Sequence, residues 1–321
     1  MKKLDVFTFG ETMILFQPVQ MLPLEYIHDY PRKIGGAESN VAIGLARLGH
    51  SVKWFSKLGD DPFGHYIKKT IRGEGVDTSS CIFTPQAPTG LFFKEQLSPE
   101  DLNIYYYRKG SAASLIEPKE LDEESIASAK VLHISGITPA LSMTNYQTVL
   151  RAIDIAKKNN TMIVFDPNFR SKLWSEEKAK KVLNEIAENA DVLLPGLAEG
   201  QLMTGETEVE AVARKLLGNT NKIIILKLGS QGAYLHTKEE KFFVEAFSLK
   251  QIVDPVGAGD GFAAGIISGI LRKEPMYQVI RRANAIGAMV VGVKGDIEGL
   301  PTSSAVEHFM GQLGNEQDVK R

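Results

Sequence analysis

A single cysteine, Cys81, occurs in 321 residues, so an internal disulfide framework is excluded and a place in the core is the natural reading of the thiol. Long apolar runs are also missing, and none approaches the roughly 20 residues needed to span a bilayer. The start, MKKLDVFTFGE, turns charged and glycine-bearing too soon for a signal peptide. No membrane partner and a cytoplasmic location are therefore expected, and the sequon Asn159-Asn160-Thr161 is a chance match. Excess charge of either sign is absent, the formal net charge being −2. That gives no general attraction to nucleic acid, so an anionic ligand must be held by a few placed cations. Two familiar phosphate motifs are missing as well. There is no GxxxxGK[ST], and the glycine cluster GAGDGF is not GxGxxG, so neither a P-loop nor a dinucleotide fingerprint is available.

What is present is ordinary for a soluble globule, with 43% hydrophobic and 24% charged residues, and long enough to bury the core of one large α/β domain. Asp5 to Gly10 reads as a first strand, with Gly10-Glu11 at its carboxyl end. Residues 12 to 33 mix short apolar runs with three prolines and read as short strands projecting from the body. Ser51 to Leu58 reads as a second strand. The turn Gly59-Asp60-Asp61-Pro62-Phe63-Gly64 then opens a helix; its two acids suit a turn and cap better than a metal. From 88 to 114 the alternation in GLFFKEQL and NIYYYRKGSA predicts a hairpin that completes a small sheet with the 12–33 pieces. After Leu121 strands and helices alternate, and the strands are short apolar runs suited to a buried parallel sheet. Their carboxyl ends carry Gly136, Asp166-Pro167-Asn168-Phe169-Arg170, Pro195-Gly196, and Lys227 with Gly229, so a ligand site along one rim is expected.

The most informative stretch is Asp254 to Leu271, DPVGAGDGFAAGIISGIL, a glycine-rich turn running into an apolar helix. Gly257 and Gly259 let a ligand approach the backbone amides, and the helix points its positive end at the same spot. Asp260 stands beside that anion site, where a carboxylate suits removal of a proton from an attacking hydroxyl. A helix cap alone does not require glycines on both sides. Gly261, Gly265 and Gly269 recur every fourth residue, so this face is expected to press against a sheet. Tyr106 and Arg108 fall on one face of the hairpin, a pairing suited to a polar anion, although a solvated arginine beside core aromatics is the simpler reading of the hairpin alone. Arg170 either reaches over the rim or caps the helix that follows. The glycines in Ile34 to Asn40 either admit a ligand or merely start a helix.

The stretches GGAESNVAIGLARLG and DPVGAGDGF resemble the two signatures of the PfkB (ribokinase-like) carbohydrate kinases, and the resemblance runs along essentially the whole chain, residues 1–321. It implies a ribokinase-like α/β fold, a mostly parallel central sheet with helices on both faces and a small β-sheet lid from about 12–33 and 88–114. It implies ATP and Mg²⁺ as cofactors and leaves potassium activation open. By the same resemblance Asp260 is the catalytic base, and the amides of Gly257, Ala258 and Gly259 form the anion hole. Gly36, Asn40 and Asp296 contact the sugar; Lys227, Gly229, Gly232 and Asn284 lie on the nucleotide side. Glu199 matches the acid of an Asn-x-x-Glu motif that bears on Mg²⁺ indirectly, but Gly196 holds the Asn slot. Lid strands in this family often pair between subunits, so a homo-oligomer through the lid is a candidate. Within the family YYRKGSA, HISGITPAL, DPNFRSKLW and GDIEGLP resemble the kinases of 2-keto-3-deoxygluconate, with Tyr106, Arg108 and Arg170 on the sugar acid. A kinase of fructose or 2-ketogluconate on the same fold is the nearest rival, and a non-catalytic sugar-acid sensor a more distant one.

Overall fold

Neighbouring apolar residues in the main strands part to opposite faces, as the two-residue period of a strand demands. Val6, Val131, Val164 and Val192 enter one core, while Phe7, Leu132, Ile163 and Leu193 enter the other. Such strands are buried on both sides and therefore need helices on both sides. The computed structural model describes residues 4–98, 101–249 and 251–312. The polar stretch of sequence that follows Gly311 lies, beyond residue 312, outside the described residues.

In chain order the strands are β1 (Leu4–Phe9), β2 (Met13–Phe16), β3 (Arg32–Gly35), β4 (Val52–Phe55), β5 (Lys57–Gly59), β6 (Ile82–Thr84), β7 (Leu91–Gln96), β8 (Leu102–Tyr107), β9 (Ala129–Ser135), β10 (Met162–Asp166), β11 (Val192–Leu193), β12 (Ile223–Lys227), β13 (Gly232–His236) and β14 (Lys241–Glu245). The helices are α1 (Ala37–Arg47), α2 (Pro62–Gly73), α3 (Glu123–Ser128), α4 (Ile137–Leu141), α5 (Met143–Lys158), α6 (Glu176–Glu188), α7 (Leu197–Thr204), α8 (Val209–Leu217), α9 (Ala258–Leu271), α10 (Met276–Val291) and α11 (Ser303–Gln312). The main sheet runs β14-β13-β12-β11-β10-β9-β1-β4, parallel from β12 to β4 and antiparallel at β13 and β14. Helices α1, α9 and α10 cover one face and α5, α6 and α8 the other. A second sheet, β3-β2-β7-β8, is the small lid sheet expected from the two insertions.

Two local readings change and one holds. The strand expected over Ser51 to Leu58 is two strands: β4 stays in the main sheet, and β5 turns away to pair with β6. Lys57, Leu58 and Gly59 are all buried, so no alternation marks the bend. Of the two acids of the Gly59–Gly64 turn, Asp61 is the cap, accepting from the amides of Phe63 at 3.0 Å and Gly64 at 2.8 Å and from Thr89, while Asp60 meets the His65 ring at 3.0 Å. The glycine stripe of α9, finally, meets a helix and not a sheet. A Cβ at Gly265 would lie 2.7 Å from the Ala283 Cα on α10, and one at Gly269 would lie 2.8 Å from Val279. The two helices thus approach almost backbone to backbone.

Overpacking this contact should be costly. Gly265→Val is expected to destabilise the protein by about 1–3 kcal/mol, with Gly265→Ala costing less. An unchanged urea midpoint for the valine variant would show that the contact is not tight.

Candidate active site

Strand β1 has β4 on one side and β9 on the other, so consecutive connections leave it in opposite directions. A crevice opens at such a switch point beyond the carboxyl ends of the strands. Here it is a cleft of about 1290 Å³ between the rim of the main sheet and the small sheet. Glu11, Asp166 and Lys227 come from the rim, and Phe92, Tyr106 and Arg108 from the small sheet.

The floor is the turn into α9. Gly257 has φ of 84°, and a Cβ there would lie 2.6 Å from the Asp296 carbonyl oxygen, so a side chain is excluded twice over. Gly259 is different: a Cβ would find only the Lys227 ammonium, at 3.9 Å. Its value lies in the approach it leaves open beside that ammonium. The first amides of α9 have no partner within the helix, that of Ala258 donating back to the Pro255 carbonyl at 3.4 Å, and the positive end of the helix dipole lies at the part of the cleft that Gly257 and Gly259 line. Lys227 reaches the same place from β12 and pairs with Asp166 at 2.6 Å.

Asp260 follows in the first turn. Asn40, from α1, donates its side-chain amide to one carboxylate oxygen at 2.8 Å. Burial at the floor, joined by the nearby carboxylates of Asp166 and Asp296, pushes the Asp260 carboxyl up to about 7; Asn40 and Arg170 oppose the rise. A base poised there is half ionised near neutral pH and well matched to proton transfer. Asn40 is thus placed on the base as well as on the cleft wall. Gly36 sits where a Cβ would lie 2.3 Å from the Glu11 carbonyl oxygen, which lets α1 begin against the loop after β1.

Tyr106 does share a face with Arg108. It stacks on Phe92 with ring centroids 5.7 Å apart, and the guanidinium of Arg108 lies 5.5 Å from its ring. The tyrosines on either side, Tyr105 and Tyr107, are exposed. Arg108 is not a free cation, however. It is buried against Glu11, to which its Nε donates at 2.7 Å, and Ser111 donates to the other Glu11 oxygen. Arg170 is exposed on the opposite wall, its guanidinium donating to the Phe169 carbonyl at 3.5 Å. Lys172 stands beside it, donating to the Ile104 carbonyl at 2.8 Å and lying 5.8 Å from the Tyr106 ring.

Other expected residues are placed differently. Glu199 has both oxygens engaged by backbone amides, Phe169 at 2.9 Å and Gly196 at 2.6 Å, so it ties α7 to the turn that carries Arg170. Asn284 donates to the carbonyls of Val244 at 3.1 Å and Glu245 at 3.0 Å, pinning β14 to α10. Gly229 and Gly232 shape the turn into β13, the latter with φ of 121° and the Val244 carbonyl 2.1 Å from a would-be Cβ. Glu199, Asn284, Gly229 and Gly232, all four, lie outside the lining of the cleft. Asp296 lines it, but one of its oxygens is held by Lys94 at 2.6 Å. Reading the sequence put Glu11 at the end of β1 and Asp166 on the rim without giving either a role, and it missed Lys94. A lysine on the inward face of β7, in register with Phe92, was the available signal for the last of them.

The matching family model is that of the pfkB family carbohydrate kinases, over residues 3–303. The chain is 40% identical over 310 residues to a 2-dehydro-3-deoxygluconokinase of Bacillus subtilis, covering 96% of both chains. It is 32% identical over 321 residues to a 5-dehydro-2-deoxygluconokinase of Geobacillus kaustophilus, covering 98% of this chain and 96% of that one. Among solved structures, an Escherichia coli protein described as a ribokinase II, in complex with ATP and Mg²⁺, superposes with a TM-score of 0.90 at 26% identity, covering 96% of this chain and 99% of the other. With both signatures folded into one cleft and a match along nearly its whole length, the chain belongs to the PfkB family of carbohydrate kinases.

Proposed function

We propose that this ATP-dependent sugar kinase phosphorylates the 6-hydroxyl of 2-keto-3-deoxygluconate (2-dehydro-3-deoxygluconate), giving 2-keto-3-deoxy-6-phosphogluconate. The observation that carries the choice of a sugar acid is the cluster of cations in the cleft with Asp260: Arg170 and Lys172 on one wall and the Glu11-oriented Arg108 on the other. A neutral hexose offers such a cluster only uncharged acceptors, whereas each charge-assisted hydrogen bond to a carboxylate contributes about 1.5–3 kcal/mol. The likeness to the Bacillus subtilis 2-dehydro-3-deoxygluconokinase supports the same reading.

In the mechanism, Tyr106, Arg108 and Arg170 hold the acid while the terminal hydroxyl reaches Asp260. Asn40 occupies one carboxylate oxygen of Asp260 and leaves the other to take the proton. As the proton moves, the hydroxyl oxygen bonds to the γ-phosphorus and the bond to the β–γ bridging oxygen breaks, leaving ADP. The amides of Gly257, Ala258 and Gly259, the dipole of α9 and the Lys227 ammonium stabilise the growing negative charge. Mg²⁺, when bound, neutralises phosphate oxygens. Glu199, whose oxygens already accept the amides of Phe169 and Gly196, would bear on the ion through water.

The deciding assay compares 2-keto-3-deoxygluconate, 5-keto-2-deoxygluconate, 2-ketogluconate and fructose at equal concentration with Mg-ATP. Preference for fructose would overturn the sugar-acid reading and leave Asp260 in place. Arg170→Ala should raise KM for the acid by about tenfold or more, the equivalent of one lost charged contact, and leave KM for fructose unaltered. Arg108→Ala should raise the same KM and also lower the melting temperature, because Glu11 is left buried without its cation.

Asp260→Asn should lower kcat by about 100-fold to 10,000-fold while ATP binding, read by calorimetry, persists. In the wild type kcat/KM should fall below about pH 7, the protonated base being inactive, and the limb should vanish in the variant. Folding acts on the same group with the opposite sense. Its carboxyl is raised from 3.8 to about 7, so the folded state holds the proton more tightly and loses stability as pH rises through that window. The asparagine variant should therefore melt above the wild type at pH 8, and a lower melting point would contradict the assignment.

A further inference from the structure

One fully buried ammonium lies behind the anion hole. Lys94 sits at the middle of β7 with its side chain shielded from solvent. It lies 2.6 Å from an Asp296 oxygen and 3.1 Å from an Asp254 oxygen. Asp254 also accepts from the amides of Val256 at 3.0 Å and Gly295 at 3.2 Å, and from the side chain of Gln17 at 3.0 Å. The Asp296 carbonyl oxygen in turn abuts Gly257. A single positive charge thus joins the small sheet, the turn before α9 and the 294–296 segment. Burial by itself would favour a neutral amine, but the Asp296 and Asp254 carboxylates outweigh it and the ammonium is held more firmly charged than usual. Without a cation, two buried carboxylates would repel each other across the base of the turn, and the amides they fix would shift.

We propose that Lys94 is a positioning residue for phosphoryl transfer: its ammonium is a tethered monovalent cation that holds Asp254 and Asp296, and through them the Val256–Gly259 backbone, in the geometry that stabilises the transferring phosphate. The inference rests on the reading of Gly257, Ala258 and Gly259 as the anion hole. It is independent of which sugar is used. Because the cation is part of the chain, no free potassium or ammonium ion is needed in its place.

The test uses the full-length protein with the acceptor it turns over best, in a buffer whose only added monovalent cation is tetramethylammonium. Wild-type turnover is read first, so failure of the anion-hole reading shows as an inactive wild type. An active wild type should be indifferent to added potassium; strong stimulation would overturn the proposal without any variant. Lys94→Ala should lose about 100-fold in kcat, the scale of a lost oxyanion donor, with KM for ATP unaltered. Ammonium or potassium should restore part of that kcat by entering the vacated space between the two carboxylates, and tetramethylammonium, too large to enter, should not. A folded Lys94→Ala with wild-type kcat, or with a loss that neither ion reverses, would overturn the proposal.

Discussion

The cleft is crowded with carboxylates, and the structure is arranged around neutralising all but a few of them. Glu11 has Arg108, Asp166 has Lys227, and Asp254 and Asp296 share Lys94. Each of these pairs is largely buried, so removing either partner would strand a charge in a low-dielectric place. Asp260 and Glu38 are treated differently, for each meets a neutral donor, Asn40 at 2.8 Å and Thr138 at 2.5 Å. Both are accordingly raised, by burial above all, to about 7 and about 8. A base near neutrality follows from giving one carboxylate of the set an amide in place of a cation.

Much of this arrangement was legible in the sequence, for physical reasons that can be named. Glycines at positions where backbone must meet backbone, the aspartate just inside α9, and the alternation that puts Tyr106 with Arg108 are all local features, and local geometry realises them. The pairs were not legible, because Glu11 and Arg108 are 97 residues apart and Lys94 and Asp296 are 202 apart. Arg108 on its strand looks like a free cation until β1 supplies its partner. Nothing beside Glu199 in the sequence shows that the Phe169 turn folds onto it and donates an amide to one of its oxygens. The α9 glycines announce a close approach without saying to what, and helix α10 is the answer.

The fold shows the same division. Apolar runs bounded by turn residues located most strands of the main sheet and both strands of the hairpin. The split of Ser51–Leu58 escaped notice because both pieces are buried, and burial on every side erases the periodicity that would mark a change of sheet. The antiparallel pair β13 and β14 was not read from the sequence, where Gly229 and Gly232 were assigned to the nucleotide side and not to the turn they form before a hairpin.

The near contact of backbones between α9 and α10 has a further meaning. With no side chains to change rotamer at Gly265 and Ala283, the helix carrying Asp260 has little means of sliding or rocking against its neighbour. The side chains proposed to choose the sugar, Tyr106, Arg108 and Arg170, stand elsewhere, at the end of β8 and on the segment after β10. Chemistry and choice of substrate are therefore housed on separate pieces of chain. Exchanges at the strand and the rim can change which sugar is taken while the distance from base to phosphate stays the same, so such a scaffold is suited to acquiring new substrates without relearning its reaction.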